Sequence, residues 1–566
     1  MIAIDSDYVI VNPEINFRVA AGPGAGKTHW LVNHMLSILR KPEKLGKIAK
    51  IACITYTNIG AETIVRRLGS ASNRCEISTV HSFFYKNVVK PYLAFIAEDI
   101  GIDVTKVDGH DDYIISDYSF LQEFKKEIGQ NYLKDNEALV KAISDLGWTR
   151  EINGNVVLKL KPNKFPKIGK YSLKKTAYLT YKRMAWKRGV VHHDDVLYFT
   201  YQIFTNYPFL LNALKAKFPY FFVDEFQDSN PLQVEVFRLL SAQGIYVGII
   251  GDVAQSIYGF NGASPMDFTS FNAPGIIEYI MLQNRRSSNE IIAALNFVRK
   301  DLTQVPLRNK SISLPLILVG TMNNALSHAR VICLEEPLIT LSRDNATANL
   351  MRRNGVAPQH SGNLITKMIS YDSTTVRREM VASFVRAIEF SRQSNFGNAL
   401  KEMTKALRNC VPESAIEKRK VEILLELLKI HSVYEKYSLL KFINFLRADF
   451  SLKITAVSSG KPKEFYEKYT YSDLASCVNV ADDYSENRTI HKAKGDEFDN
   501  VLLFLGKTNM LDLLFMPKLL EPGAEEQRVI YVGMSRARNR LFISVPELSK
   551  VQRGKLQPAF SVVDVG

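Results

Sequence analysis

Ala21-Gly-Pro-Gly-Ala-Gly26-Lys27-Thr28 decides the fold. Residues 15–20 (Ile-Asn-Phe-Arg-Val-Ala) alternate and predict a strand directly before it. Leu31, Met35, Ile38 and Leu39 share one helical face directly after it. Strand, glycine-rich turn, Gly-Lys-Thr and helix make a phosphate loop, with Ala21 in place of the first glycine. Gly22, Gly24 and Gly26, with Pro23 and Ala25 between them, let backbone N–H groups turn inward and cradle phosphates. The helix N-terminus adds its positive dipole end. Lys27 brings a point charge to the phosphates, and Thr28 a hydroxyl ligand for Mg²⁺. The alternative is a ligand-free glycine-rich turn, which Gly-Lys-Thr at this position disfavours.

Such a loop needs an acidic strand end nearby. Val223-Asp224-Glu225 closes the apolar run Tyr220-Phe-Phe-Val223. Asp224 would hold Mg²⁺ through water, and Glu225 would polarise the attacking water. Further runs, Ile51-Ala-Cys-Ile-Thr55 and Tyr246-Val-Gly-Ile-Ile250, read as strands. Strands alternating with helical stretches predict an α/β fold with parallel sheets. Residues 1–86 and 201–285 form a first α/β domain in this reading. Residues 286–365 and 481–566 form a second, with Val501 to Leu505 and Arg540 to Val545 as strands. Mainly helical insertions fill 87–200 and 366–480; the second contains the helix core Ile423-Leu-Leu-Glu-Leu-Leu428.

The 566 residues carry a net charge of +15, with 46% hydrophobic and 23% charged residues, so disordered and fibrous classes are excluded. The basic excess suits either a polyanion partner or a solubilising surface. None of the five cysteines sits in a CxxC pair, which argues against zinc, iron–sulfur and disulfide frameworks. No signal-like leader and no run of about 18–20 apolar residues is seen, so a cytoplasmic, membrane-free protein is expected.

Phe221-Phe-Val-Asp-Glu-Phe-Gln-Asp-Ser-Asn-Pro-Leu-Gln233, together with the phosphate loop, resembles the UvrD/Rep/PcrA-like superfamily 1A DNA helicases. The other motifs of that family follow in order. Ile54-Thr55-Tyr56-Thr57-Asn58 is similar to motif Ia and Thr79-Val-His81-Ser82-Phe83 to Ib. Gly251 to Ala263 is similar to motif III, and Asn284-Arg-Arg286-Ser287 to motif IV. Thr489 to Phe498 is similar to motif V, and Glu526 to Ala537 to motif VI.

The resemblance implies two RecA-like domains, ATP and Mg²⁺ as cofactors, and 3′→5′ movement on single-stranded DNA. It gives Arg286 and Arg536 the role of cations on the γ-phosphate, where a guanidinium fork suits the geometry. It gives Gln255 the γ-phosphate sensor, Glu497 the ribose contact and Arg285 the place of a Tyr that stacks on adenine. Tyr56, Tyr258 and Phe260 occupy its base-stacking positions. Thr55, Asn58, His81, Ser82 and His491 fall among its DNA contacts, and Phe83 suits either DNA or the core.

Lys159 to Arg188 holds eleven positive charges and no acid, interleaved with Tyr171, Tyr178, Tyr181 and Trp186. Lys164, Lys167, Lys170, Lys174 and Lys175 are its candidate phosphate contacts. A solvated basic loop followed by a core helix is the alternative. His192-His193-Asp194-Asp195 reads as a helix start, with metal binding the lesser alternative.

The chain also departs from the family. No Gln precedes Ala21, Asn261 replaces a customary Arg, and Asp496 replaces a Leu. No nuclease constellation follows Arg536, which argues against a fused nuclease. Short members of the family occur beside nucleases in anti-phage systems such as Gabija, and the reduced insertions resemble those. The expected function is an ATP-dependent helicase acting on single-stranded and tailed duplex DNA, in repair or anti-phage defence. The alternative is a nucleotide-gated DNA-binding regulator of a separately encoded nuclease.

Overall fold

The computed structural model describes residues 1–40, 45–111, 114–151, 153–161, 167–168, 170–352, 364–372, 374–392, 395–408, 410–457, 459–478, 485–506, 509–512, 515, 518–521, 523–557 and 559–566. The fold is mixed α/β, as expected. The chain divides into two compact units. One comprises Met1–Val319, Lys494–Val501 and Leu505–Asp564; the other comprises Gly320–Ala493, Leu502–Phe504 and Val565–Gly566.

A seven-stranded sheet organises the first unit. Its strands lie in the order Ile2–Ala3, Ile277–Met281, Phe17–Ala21, Tyr246–Gly251, Tyr220–Val223, Ile51–Thr55 and Cys75–Thr79. Every pairing is parallel. Tyr220–Val223 and Ile51–Thr55 are buried throughout, because helices cover both faces of a parallel sheet. The strand before the phosphate loop is Phe17–Ala21, and Lys27–Leu39 is the helix after it. The carboxyl ends of these strands run into Gly22, Tyr56, Asp224 and Asp252, so the topology alone gathers residues distant in sequence at one edge.

A second sheet has six strands. In the first unit Leu316–Val319 pairs in parallel with Ala537–Val545 and Ser561–Asp564. In the second unit Leu338–Ser342 pairs in parallel with Asn487–Thr489. Helices make up most of the rest of the second unit. They include Thr375–Arg392, Phe396–Leu407 and Glu413–Lys429 around buried Phe384, Met403 and Leu427.

The stretch 87–200 is less helical than its sequence suggested. Leu146–Arg150 pairs antiparallel with Val156–Leu160, and Lys167–Ile168 with Tyr171–Ser172. Asn153-Gly154, with Gly154 at φ 91°, is the turn signal that marks the first hairpin. The basic run also needs correction. Lys182 is 3% exposed and pairs with Asp194 at 2.9 Å and Asp195 at 2.8 Å. Tyr178, Tyr181 and Trp186 are buried. Lys159 pairs with Glu151, and Arg188 with Glu123 at 2.6 Å. The helix Thr176–Trp186 is thus a core helix, and its aromatics are not available for stacking.

Asp195 holds this core together. Its carboxylate accepts from Trp148 Nε1 and Trp186 Nε1 at 2.9 Å each, and from the His192 N–H at 3.0 Å. It also closes the capping box of the helix His193–Asn206, in keeping with the helix start that the acidic pair predicts.

Candidate active site

Gly24 and Gly26 take positive φ values of 71° and 87°, which glycine adopts without strain. A Cβ on Gly24 would lie 2.5 Å from Asn284 Oδ1, so the loop is also packed too tightly for a side chain. The Pro23 carbonyl accepts from Asn284 Nδ2 at 3.1 Å and Gln304 Nε2 at 2.7 Å. Ser6 packs against Gly26, and among the described residues its buried hydroxyl has no hydrogen-bond partner. This cradle of backbone N–H groups, with Lys27 opening the helix, fits a polyphosphate.

Thr28 Oγ1 lies 3.5 Å from Asp224 Oδ2, and both are oxygen donors suited to Mg²⁺. Burial, reinforced by the charge of Glu225, pushes the Asp224 pKa up. Burial acts on Glu225 in the same sense, but Lys27, Lys494 and the Gln227 amide outweigh it and hold Glu225 ionised. A bound Mg²⁺ would favour the ionised form of Asp224. Glu225 itself sits at φ 53°, and Gln227 Nε2 donates to its carboxylate at 2.7 Å.

The two arginines of motifs IV and VI belong to the same unit. Arg286 Nε donates to Glu497 at 2.6 Å, and its Nη1 to the Ser535 carbonyl at 3.1 Å. Arg536 is buried and donates from Nη2 to Gln255 Oε1 at 2.9 Å. Burial, with Arg286 alongside, lowers its pKa to about 9. Arg285 donates its N–H to the Gly24 carbonyl, while its guanidinium pairs with Asp7 at 2.9 Å. Lys27, Thr28, Asp224, Glu225, Gln255, Arg286, Arg536 and Glu497 thus form one connected polar cluster, with Arg285 at the edge of the loop.

Beside it lies an aromatic group. The Tyr56 and Tyr258 rings are 4.5 Å apart, and Phe260 is 5.7 Å from Tyr258 and exposed. Asn58 and Ser82 are exposed, whereas Thr55 is buried and donates to the Thr57 carbonyl at 2.7 Å. His81 lies 5.8 Å from the His193 ring, and burial, with His193 and His110 nearby, pulls its pKa down to about 3. His81 is therefore neutral near pH 7 and does not supply a cation for phosphate. Phe83 is core, packed on Phe84, Phe218 and Phe221. Lys167, Lys170, Lys174 and Lys175 are exposed; Lys164 lies outside the described residues. His491 belongs to the second unit, so it is not placed against the other DNA candidates.

Three further residues join the site that sequence reasoning did not single out. Lys494 Nζ bonds Asp228 at 2.5 Å and the Gln255 carbonyl at 2.7 Å, and lies 4.9 Å from the Tyr258 ring. Asp252 accepts from Gln255 Nε2 at 2.7 Å, and Arg299 Nη1 lies 2.8 Å from its other oxygen. Gln255 is therefore held from both ends, by Asp252 and by Arg536. Lys494 and Asp252 stand inside quoted motifs, but Arg299 lies outside every motif, and only its placement reveals it. We expect Arg299→Gln to lower kcat about tenfold with little change in KM, because Gln255 is then no longer held in a fixed orientation. The Asp252→Asn/Arg299→Gln double variant should recover part of the activity. An unchanged kcat in the single variant would separate Arg299 from the chemistry.

A parallel sheet with a phosphate loop, an acidic strand end and two arginines close to them is the arrangement of a P-loop NTPase. Similarity to known proteins agrees. Residues 6–274 match the UvrD/REP helicase N-terminal domain family, and the chain is similar to UvrD/PcrA/Rep-type helicases. It is 22% identical to YjcD of Bacillus subtilis, over 96% of this chain and 78% of that protein. It is 24% identical to the Gabija protein GajB of Bacillus cereus, over 50% of this chain and 46% of GajB. It is 26% identical to DNA helicase II of Escherichia coli, over 51% of this chain and 38% of that protein. The chain thus spans most of YjcD but less than half of the other two. Among the described residues no helix is long and apolar enough to cross a membrane.

Proposed function

We propose that the protein is an ATP-dependent DNA translocase and helicase that moves 3′→5′ on single-stranded DNA. One observation carries this reading. Gln255 is bonded to Arg536 on its side chain and to Lys494 on its backbone, and Lys494 lies over the Tyr258 ring. Charge arriving at the arginines can therefore be felt at the aromatic pair through three contacts. In this reading Lys27 and Thr28 hold Mg·ATP with Asp224, and Glu225 orients the attacking water. Arg286 and Arg536 stabilise the charge that develops on the γ-phosphoryl. Tyr56, Tyr258 and Phe260 stack bases, and Lys167, Lys170, Lys174 and Lys175 meet phosphates. Residues 1–86 with 201–285, and 286–365 with 481–566, are the two motor domains; 87–200 and 366–480 are their insertions.

ATP hydrolysis with and without single-stranded DNA, followed by unwinding of 3′-tailed and 5′-tailed duplexes, tests the proposal. Stimulated hydrolysis and unwinding of the 3′-tailed substrate alone are expected. Hydrolysis indifferent to DNA would overturn the motor reading. The likeness to GajB favours a second reading, in which the chain gates a separately encoded nuclease and unwinds little. Strong unwinding by the purified chain alone would remove it.

A further inference from the structure

We propose that Tyr132 and Tyr171 form a second base-stacking platform for single-stranded nucleic acid, remote in sequence from the motifs. The inference rests on the DNA reading above and extends it to a surface that no motif covers. Their rings lie 4.8 Å apart at 58°, and the residues are 45% and 40% exposed. Large aromatic residues gain most of their stabilisation by burial, so paired exposed rings call for a partner.

The pair is held on a rigid mount. Gln130 is 1% exposed. Its Nε2 donates to the Tyr132 hydroxyl at 3.0 Å and to the Ser172 carbonyl at 3.1 Å. Its Oε1 accepts from the Lys174 N–H at 3.1 Å. A single buried amide thus ties the loop carrying Tyr132 to the hairpin strand carrying Tyr171. Fixing the rings beforehand reduces the entropy cost when a base stacks.

Charge identifies the partner. Lys134, Lys167, Lys170, Lys174 and Lys175 are exposed on the same two segments, and Lys170 Nζ lies 5.4 Å from the Tyr171 ring. Aromatic faces among cations match a strand that offers bases and phosphates in alternation. Of the aromatics singled out in the basic run, Tyr171 alone is exposed, and its partner Tyr132 comes from outside that run. The surface therefore exists only in the folded chain.

Fluorescence anisotropy with labelled oligothymidylate over a range of salt concentrations tests the platform on the full chain. Tyr132→Leu/Tyr171→Leu should bind at least about tenfold more weakly, with the slope of log K against log salt unchanged. Lys167→Gln/Lys170→Gln/Lys174→Gln/Lys175→Gln should flatten that slope by about 0.7 for each phosphate the variant no longer neutralises. Tyr132→Trp/Tyr171→Trp should keep the affinity and show quenched indole emission on binding, which separates stacking from misfolding. Equal affinity of the Leu variant and the wild type, alongside DNA-stimulated hydrolysis, would overturn the platform and leave the motor standing. No binding of the oligonucleotide by the wild type would overturn both.

Discussion

Lys27→Ala is expected to lower DNA-stimulated ATP hydrolysis by roughly 10³-fold while the protein stays folded. Lys27 opens the helix Lys27–Leu39 at the end of the phosphate loop, where its ammonium adds to the positive end of the helix dipole. Removing a preorganised charge from a transition state costs on the order of 10²–10³ in rate. Lys27 also helps hold Glu225 ionised, so its removal weakens the carboxylate proposed to orient the attacking water as well. The side chain is only partly buried and takes no part in the core, so the circular dichroism spectrum should not change. Binding of a fluorescent ATP analogue should weaken in parallel. Hydrolysis surviving within about tenfold of the wild type would remove the phosphate-loop assignment.

Lys182→Met should destabilise the first unit by about 3–5 kcal/mol, the cost of breaking a buried ion pair from one side. The substitution leaves Asp194 and Asp195 without their cation. Asp195 is fully buried and, among the described residues, keeps the two indole N–H groups and His192 as donors. Urea denaturation followed by tryptophan emission reads the change, since two of the three indoles, Trp148 and Trp186, bond that carboxylate. The salt dependence of DNA binding should be the same as in the wild type, because Lys182 meets no phosphate. A stable variant with a flatter salt slope would return Lys182 to the DNA surface, where its neighbours in sequence had placed it.

Lys182 marks the limit of reading charge along a chain. From Lys159 to Arg188 every charged side chain is basic, and composition cannot tell a solvated lysine from one neutralised by a distant acid. Asp194 and Asp195 come from the next helix, and their pairing with Lys182 is set by packing around Trp148 and Trp186. The same blindness hid Arg299. Nothing near it in sequence marks it, yet it reaches the carboxylate that orients Gln255. Tyr132 joins Tyr171 for the same reason, through an amide buried between their segments.

What the sequence determined by itself was local. The strand Phe17–Ala21, the loop, the helix Lys27–Leu39 and the acidic end of Tyr220–Val223 follow from short-range patterns. Period-two and period-3.6 hydrophobicity, and the need for glycine at positive φ, act within a few residues. Those patterns were enough for the α/β class and for the glycine-rich loop and acidic strand end that make up the candidate site. The tertiary structure alone decided which charges are compensated, which aromatics remain exposed, and what holds Gln255. Each of these depends on contacts between segments far apart in the chain, where burial raises the cost of an unpaired group and so selects its partner.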